Sequence, residues 1–200
     1  EKQHVLLIEA WAKVIERLPD AVLVVVGDGV ERSAIESKTR ELGLEDNVRM
    51  LGMRSDVPEV LAGLDLKVLS SKMEANPAST LEANACGLPV VAPKVGSLID
   101  TVEHGVTGLL CKPNDIEALS QAILEILTKD DRGAAMGVAA RAKVCQEFSL
   151  EVMVQGYENL IEGVYAAAQR GESLLPQTFD QIMGNQLSGF PAVPPVNSLH

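Results

Sequence analysis

The chain is poor in the residues that most often build metal and redox sites. It has three cysteines and three histidines in 200 residues, and they are scattered. No Cys or His cluster has metal-ligand spacing. Cys86, Cys111 and Cys145 cannot all pair within one chain, and each lies in an apolar or helical stretch. That pattern predicts buried thiols in a reducing cytosol. His4, His104 and His200 have no serine or cysteine partner pattern, so none is a candidate catalytic base. Long apolar runs are also missing. Val22 to Val26 and Leu88 to Val91 fall far short of the roughly 20 residues that span a bilayer. The opening Glu1-Lys2-Gln3-His4 leads into an amphipathic helix and carries no signal-peptide pattern. Basic residues are outnumbered, with Lys and Arg at 17 against Asp and Glu at 28, and the formal net charge is −11. Such a charge disfavours non-specific nucleic-acid binding and unaided adhesion to anionic lipid. The acidity is spread over helix surfaces rather than gathered into a tail. There is no internal repeat. The expected location is cytoplasmic, with peripheral membrane association of the full-length protein left open.

What is present is an alternation of strand and helix signals. His4 to Arg17 carries Leu7, Ile8, Trp11, Val14, Ile15 and Leu18 at helical spacing. Ala21 to Val26 is a continuous β-branched run, as in a strand covered on both faces. Gly27-Asp28-Gly29 turns the chain into a polar helix over about Val30 to Leu42, ended by Gly43. Further strands are expected over Asn47–Leu51, Leu64–Leu69, Pro89–Ala92 and Gly108–Cys111. Helices are expected over Ser55–Leu61 with Ser55 as N-cap, after Pro77, and over Leu98–Glu103. Three more follow over Ile116–Leu127 (capped by Asn114 or Asp115), Asp131–Glu147 and Leu150–Gln169. Strands separated by helices imply right-handed crossovers. The expected fold is α/β: a Rossmann-like parallel sheet with helices on both faces, over residues 1–170. From Gly171 the periodicity stops, and Pro176, Pro191, Pro194 and Pro195 predict an extended or disordered tail over 171–200. One helical turn near Thr178 to Met183 is the exception.

The chemistry concentrates between the third strand and the helix after it. Glu74 and Glu82 stand eight apart there, the first at the strand end and the second inside the helix. Ligands of α/β proteins bind at such crossings, at the carboxyl ends of the strands. Asn76-Pro77 suits a helix start, with Asn as N-cap and Pro at the first helical position. The N–H groups near Ala78, Ser79 and Thr80 would then form an anion site that fits a diphosphate. Glu82 is placed to hold both ribose hydroxyls and Glu74 to reach a hexose. The plain alternative is a loop charge and an ordinary exposed helical glutamate. Gly27-x-Gly29 follows a strand but has Arg32 where the dinucleotide fingerprint needs its third glycine, so it is a weak nucleotide motif.

The surrounding segments resemble, in order and spacing, the retaining glycosyltransferases of family GT4. These include Leu81-Glu82-Ala83, Ala85-Cys86-Gly87, Pro89-Val90-Val91-Ala92, Val95-Gly96 and Gly105-Val106-Thr107-Gly108-Leu109-Leu110, around a Glu-x7-Glu pair. The resemblance is to the carboxyl-terminal, donor-binding domain of the two-domain GT-B fold. It implies transfer of a hexosyl unit from an NDP-sugar to an acceptor hydroxyl, with retention and without a metal or other cofactor. It further implies that Glu74 is catalytic. Lys2 would neutralise donor phosphates, Gly27 and Gly29 would line the rim of the nucleotide pocket, and Arg54 would contact base or phosphate. Ser79, Thr80 and Glu82 would complete the donor site. The opening helix resembles the segment just after the first strand of that domain, so the first strand and an amino-terminal domain are expected to be missing. The sequence departs from the family at Glu74-Ala75-Asn76-Pro77, where many members have Glu-Gly-Phe-Gly or Glu-Gly-Phe-Pro. It departs again at Gly96-Ser97 and Asp100, where many have Gly-Gly and a Glu. These changes bear on the sugar more than on the nucleotide. A GT-B-type sugar-nucleotide epimerase and a non-catalytic nucleotide-sugar-binding module are the alternative functions. The base, the sugar, the acceptor and the oligomeric state are not legible.

Overall fold

The structure is a computed structural model that describes residues 1–75, 77–129 and 131–171. The chain divides into two compact units, Glu1–Gln146 and Glu147–His200. The expected tail, with its helical turn at 178–183, lies outside the described residues apart from Gly171.

The first unit alternates as its sequence predicts. Helix α1 (His4–Ile15) leads into strand β1 (Leu23–Val26), helix α2 (Arg32–Glu41), strand β2 (Val48–Gly52) and helix α3 (Val57–Ala62). Strand β3 (Lys67–Val68), helix α4 (Ala78–Ala85), strand β4 (Val90–Pro93), helix α5 (Leu98–Thr101) and strand β5 (Gly108–Cys111) follow. Helices α6 (Ile116–Thr128) and α7 (Arg132–Glu147) come next, and α8 (Leu150–Gln169) lies in the second unit. No helix among the described residues is long and apolar enough to cross a membrane.

All strand pairs are parallel. They do not form one sheet: β1 pairs with β2, and β3, β4 and β5 form a separate three-stranded sheet. β3 is shorter than the expected Leu64–Leu69 because only its β4 side is paired. On one side of the strands, α1 sends Ile8 and Val14 into a core with Val91 and Ile123, and all of these are fully buried. Trp11 joins them and donates its Nε1 to the Asn47 carbonyl at 3.1 Å. Asn47 in turn donates Nδ2 to the carbonyls of Pro19 and Ala21 at 2.8 and 2.9 Å, which ties the start of β1 to β2. On the other side, Leu69, Val90 and Ala92 pack on Leu98 and Val102, while Ala83 of α4 packs on Leu61 and Leu88. Both faces of β4 are thus covered.

One expected cap shifts, and the choice left open for another is settled. Ser55 does not cap α3. The cap position falls on Asp56, whose carboxylate is held by Arg54 instead. Asp115, not Asn114, caps α6, accepting from the Ala118 amide at 2.9 Å. Cys145 is exposed, against the expectation of three buried thiols, while Cys86 and Cys111 are half-buried. Burial pushes the Cys111 thiol up to about 11, so it stays protonated at neutral pH.

Candidate functional site

Parallel pairing puts the carboxyl ends of the strands on one edge, and the expected residues gather along it. β3 runs on into Ser70-Ser71, then a loop to α4. Glu74, in that loop, is buried with 8% of its surface exposed. Its Oε1 accepts from Lys2 Nζ at 2.7 Å and from Ser71 Oγ at 2.6 Å. Lys2 is brought there by the backbone. The Lys72 amide donates to the Glu1 carbonyl at 2.9 Å, and Ser70 Oγ donates to the Lys2 carbonyl at 2.7 Å. The segment 95–98 closes on Glu74 from behind. The Ser97 amide donates to the Glu74 carbonyl at 3.2 Å, and Gly96, at φ +50°, lies so close that a Cβ there would sit 1.9 Å from that oxygen. Only a glycine fits the contact.

The electrostatics follow from this packing. Burial would raise the Glu74 carboxyl. Hydrogen bonds from Lys2 and Ser71, with the attraction of Lys2 and Lys67, outweigh it and hold the group below its ordinary 4.5. Because the folded value is depressed, the stabilisation is complete above pH 4.5 and is lost as pH falls through the lower folded value. Acidification from pH 6 to pH 3 should therefore lower the thermal midpoint more in the parent than in Glu74→Gln. Parallel pH curves for the two proteins would remove this contribution.

Helix α4 corrects part of the expected anion site. It begins at Ala78, and Pro77 occupies the cap position rather than the first helical one. The proposed cap, Asn76, lies outside the described residues. The Thr80 amide is not free: it donates to the Pro77 carbonyl at 2.8 Å in a tight first turn. The Thr80 side chain is fully buried and its Oγ1 has no partner among the described residues. Thr80 thus packs on the inner face of α4, and its amide is used within the first turn. That leaves the Ala78 and Ser79 amides, which an α-helix start cannot satisfy internally. Ser79 is exposed.

Glu82 and Ser79 line a large cavity, of about 790 Å³, together with His4 and Lys67. Burial lowers the Lys67 ammonium below the ordinary lysine value, and Lys2 adds to this, while Glu82 and Glu74 oppose it. Lys67 and Ser71 are the functional candidates that the sequence reading missed. The signal for Lys67 was available, since it is the one basic residue in the apolar run Leu66 to Leu69.

The remaining expected residues sit on the β1–β2 side of the edge. Gly27 has φ +118°, which a side chain would strain, and its amide donates to the Gly52 carbonyl at 2.8 Å. Gly29 has open space where a Cβ would lie, and its amide is taken by Asp28. Arg54 grips Asp56 through both ends of its guanidinium, with Nε to Oδ1 at 2.7 Å. Neither Gly29 nor Arg54 lines the cavity that holds Glu82. No group of three or more His, Cys, Asp or Glu side chains converges to hold a metal ion among the described residues.

Parallel strands under helices, with polar groups collected at their carboxyl edge, define a Rossmann-like ligand-binding domain. Its affiliation is shown by comparison with known proteins. The chain belongs to the family described as glycosyl transferases group 1, which it matches over residues 1–143. It is 34% identical over 166 residues to N-acetyl-alpha-D-glucosaminyl L-malate synthase of Bacillus anthracis, covering 83% of this chain and 43% of that protein. It is 34% identical over 169 residues to D-inositol 3-phosphate glycosyltransferase of Corynebacterium urealyticum, covering 78% of this chain and 40% of that protein. Among solved structures, Anabaena Alr3699/HepE in complex with UDP superposes with a TM-score of 0.73 at 32% identity, over 80% of this chain and 45% of that one. The C-terminal domain of a group 1 glycosyl transferase (LpcC) from Francisella tularensis shares the fold alone. Its TM-score is 0.66 at 20% identity, over 74% of this chain and 80% of that one. The fold is that of one half of a GT-B glycosyltransferase, and the chain spans about two-fifths of the curated relatives it matches.

Proposed function

We propose that this chain is the donor-binding half of a retaining glycosyltransferase that moves a hexosyl unit from an NDP-sugar to an acceptor hydroxyl. The observation that carries the reading is the buried Glu74 carboxylate, kept ionised by Lys2 and Ser71 one loop before the start of α4. A relative of this fold, Anabaena Alr3699/HepE, was solved with UDP and with UDP-glucose, which supports an NDP-sugar as the ligand of this edge. In this reading the Ala78 and Ser79 amides and the α4 dipole receive the diphosphate. The Lys2 side chain remains over half exposed while it pairs with Glu74, so its charge is accessible to the same phosphates. Glu82 holds the ribose, and Glu74 faces the hexose. As the diphosphate leaves, the sugar gains positive character, and a fixed carboxylate stabilises it without reorganisation. The leaving charge is met by amides and a lysine, so the reaction needs no metal. In the intact enzyme the acceptor and an amino-terminal GT-B domain complete the site, and this half alone binds donor with little turnover. Neither curated relative quoted above is an epimerase by name, and no observation here favours that alternative.

The test is Glu82→Ala. Nucleotide affinity should fall by about 1.5–3 kcal/mol, the range for losing a hydrogen bond to a charged group. Thermal stability should hold, because Glu82 is exposed and makes no side-chain hydrogen bond among the described residues. Equal calorimetric affinity in mutant and parent would return Glu82 to an ordinary helix residue.

A further inference from the structure

Nothing in the packing of β3 calls for a lysine at position 67. Lys67 interrupts the apolar run Leu66 to Leu69. Leu66 and Val68 pack on the core that α1 covers, and Leu69 packs on the opposite face with Leu98 and Val102. Successive side chains alternate between the faces of a strand, so Lys67 shares the face of Leu69. It is half-buried there. Water stabilises an ammonium, so lysines drawn out of it are normally paired. Lys67 makes no hydrogen bond and no ion pair among the described residues. Burial lowers its ammonium below the ordinary 10.5, and an apolar side chain would occupy the position without that cost.

Its surroundings carry a pattern of charge. After burial, the strongest influence is the attraction of Glu82, followed by the repulsion of Lys2 and the attraction of Glu74. Lys67 and Glu82 line the same cavity, with Ser79 from the first turn of α4. Lys67 is thus within the field of both glutamates and pairs with neither. Glu74 is already held by Lys2 and Ser71. His4 lines the cavity too. Burial, Lys2 and Lys67 lower its imidazole below 6.5, against a pull from Glu31, so it is neutral at pH 8. Two mutually repelling ammonium groups beside the free α4 amides form a setting that a multivalent anion relieves.

We propose that Lys67 is a diphosphate contact of the donor site. The inference rests on the donor reading above, in which Glu82 holds the ribose and Glu74 faces the hexose. The diphosphate is the chemical link between those two sugars. A cation under the pull of both carboxylates therefore faces that link. The bound anion supplies the partner that the ammonium lacks within the protein. A charge-assisted hydrogen bond from a half-buried donor is stronger than one from a solvated lysine, because less water competes for it. Lys67 then sets a preference for diphosphate-bearing ligands and is indifferent to the base and to the sugar.

The test titrates the parent chain, Lys67→Met and Lys67→Arg with UDP, GDP and ADP by calorimetry at pH 8, and records each thermal midpoint. Methionine keeps an unbranched chain and removes the charge. For whichever diphosphate the parent binds, Lys67→Met should bind roughly tenfold or more weakly, and Lys67→Arg should keep most of the affinity. The midpoint of Lys67→Met should be equal to the parent's or higher, because an unpaired, half-buried charge has gone. Equal affinity in Lys67→Met and parent would overturn the proposal and leave the donor reading standing. A lowered midpoint together with weaker binding would assign Lys67 to the fold and overturn it as well. A folded parent that binds none of the three would overturn the donor reading, and the proposal with it. A footprint on the parent covers a variant that fails to fold: lysines are acetylated with an N-hydroxysuccinimide ester at pH 8 and located by peptide mass spectrometry. The bound diphosphate should slow acetylation of Lys67, and the matching nucleoside should not. Equal acetylation of Lys67 with and without the diphosphate would rule out the contact.

Discussion

Glu74→Gln should leave the affinity for a free nucleoside diphosphate unchanged and weaken binding of the sugar-bearing donor by roughly tenfold or more. The placement decides the direction. Glu74 lies at the end of the β3 run, ahead of the α4 amides where the diphosphate would sit, while Glu82 lies within α4. The amide keeps the shape and can still accept from Ser71, but it loses the charge that Lys2 and Ser71 now sustain. Hydrogen bonds to a charged group contribute about 1.5–3 kcal/mol, and each 1.4 kcal/mol is about tenfold in affinity. In the intact enzyme the larger loss should appear in turnover, because the carboxylate matters most when the sugar is cationic. Equal losses for NDP and NDP-sugar would show that Glu74 is not on the hexose side.

Gly96→Ala should damage the same function from outside the site. A Cβ at this position would stand 1.9 Å from the Glu74 carbonyl oxygen and 3.0 Å from its carbon, with φ at +50°. Neither neighbour is a flexible side chain, so backbone must move, and the segment that moves carries Glu74. Strain of this kind costs about 1–3 kcal/mol in stability. Displacement of a catalytic group by about 1 Å can cost on the order of 100-fold in rate. The measurement is a thermal midpoint together with donor affinity. A variant with parental stability and parental donor affinity would show that Gly96 does not hold Glu74 in place.

Local pattern made the alternation of elements legible, and it found Glu74 and Glu82. The run Ala21 to Val26 and the spacing of Leu7, Ile8, Trp11 and Val14 carry their periods on the surface of the sequence. What escaped was decided over distance. The Lys2–Glu74 pair joins residues 72 apart, and no spacing rule announces it. Thr80 looked like an anion ligand because its position after a helix start suggested a free amide. The tight turn from Pro77 uses that amide, and the side chain is buried under the helix. Ser55 looked like a cap, but Asp56 takes the position once Arg54 fixes its carboxylate. The shortness of β3 also follows from a neighbour rather than from its own residues, since Leu64 to Leu66 are strand-like in sequence but have no paired edge. The sugar-side departures at Ala75-Asn76-Pro77 and Gly96-Ser97 have a structural counterpart. Ser97 donates its amide to Glu74, so the loop that differs from the family pattern is the loop that positions the carboxylate.

The central claim is that this domain binds the nucleotide part of an activated sugar. Calorimetric titration of the folded 200-residue chain with UDP, GDP and ADP, against glucose and mannose, tests it most directly. The account predicts saturable heat with at least one of the nucleoside diphosphates and none with the free sugars. Binding of a free sugar with no response to any of the three nucleotides would contradict it.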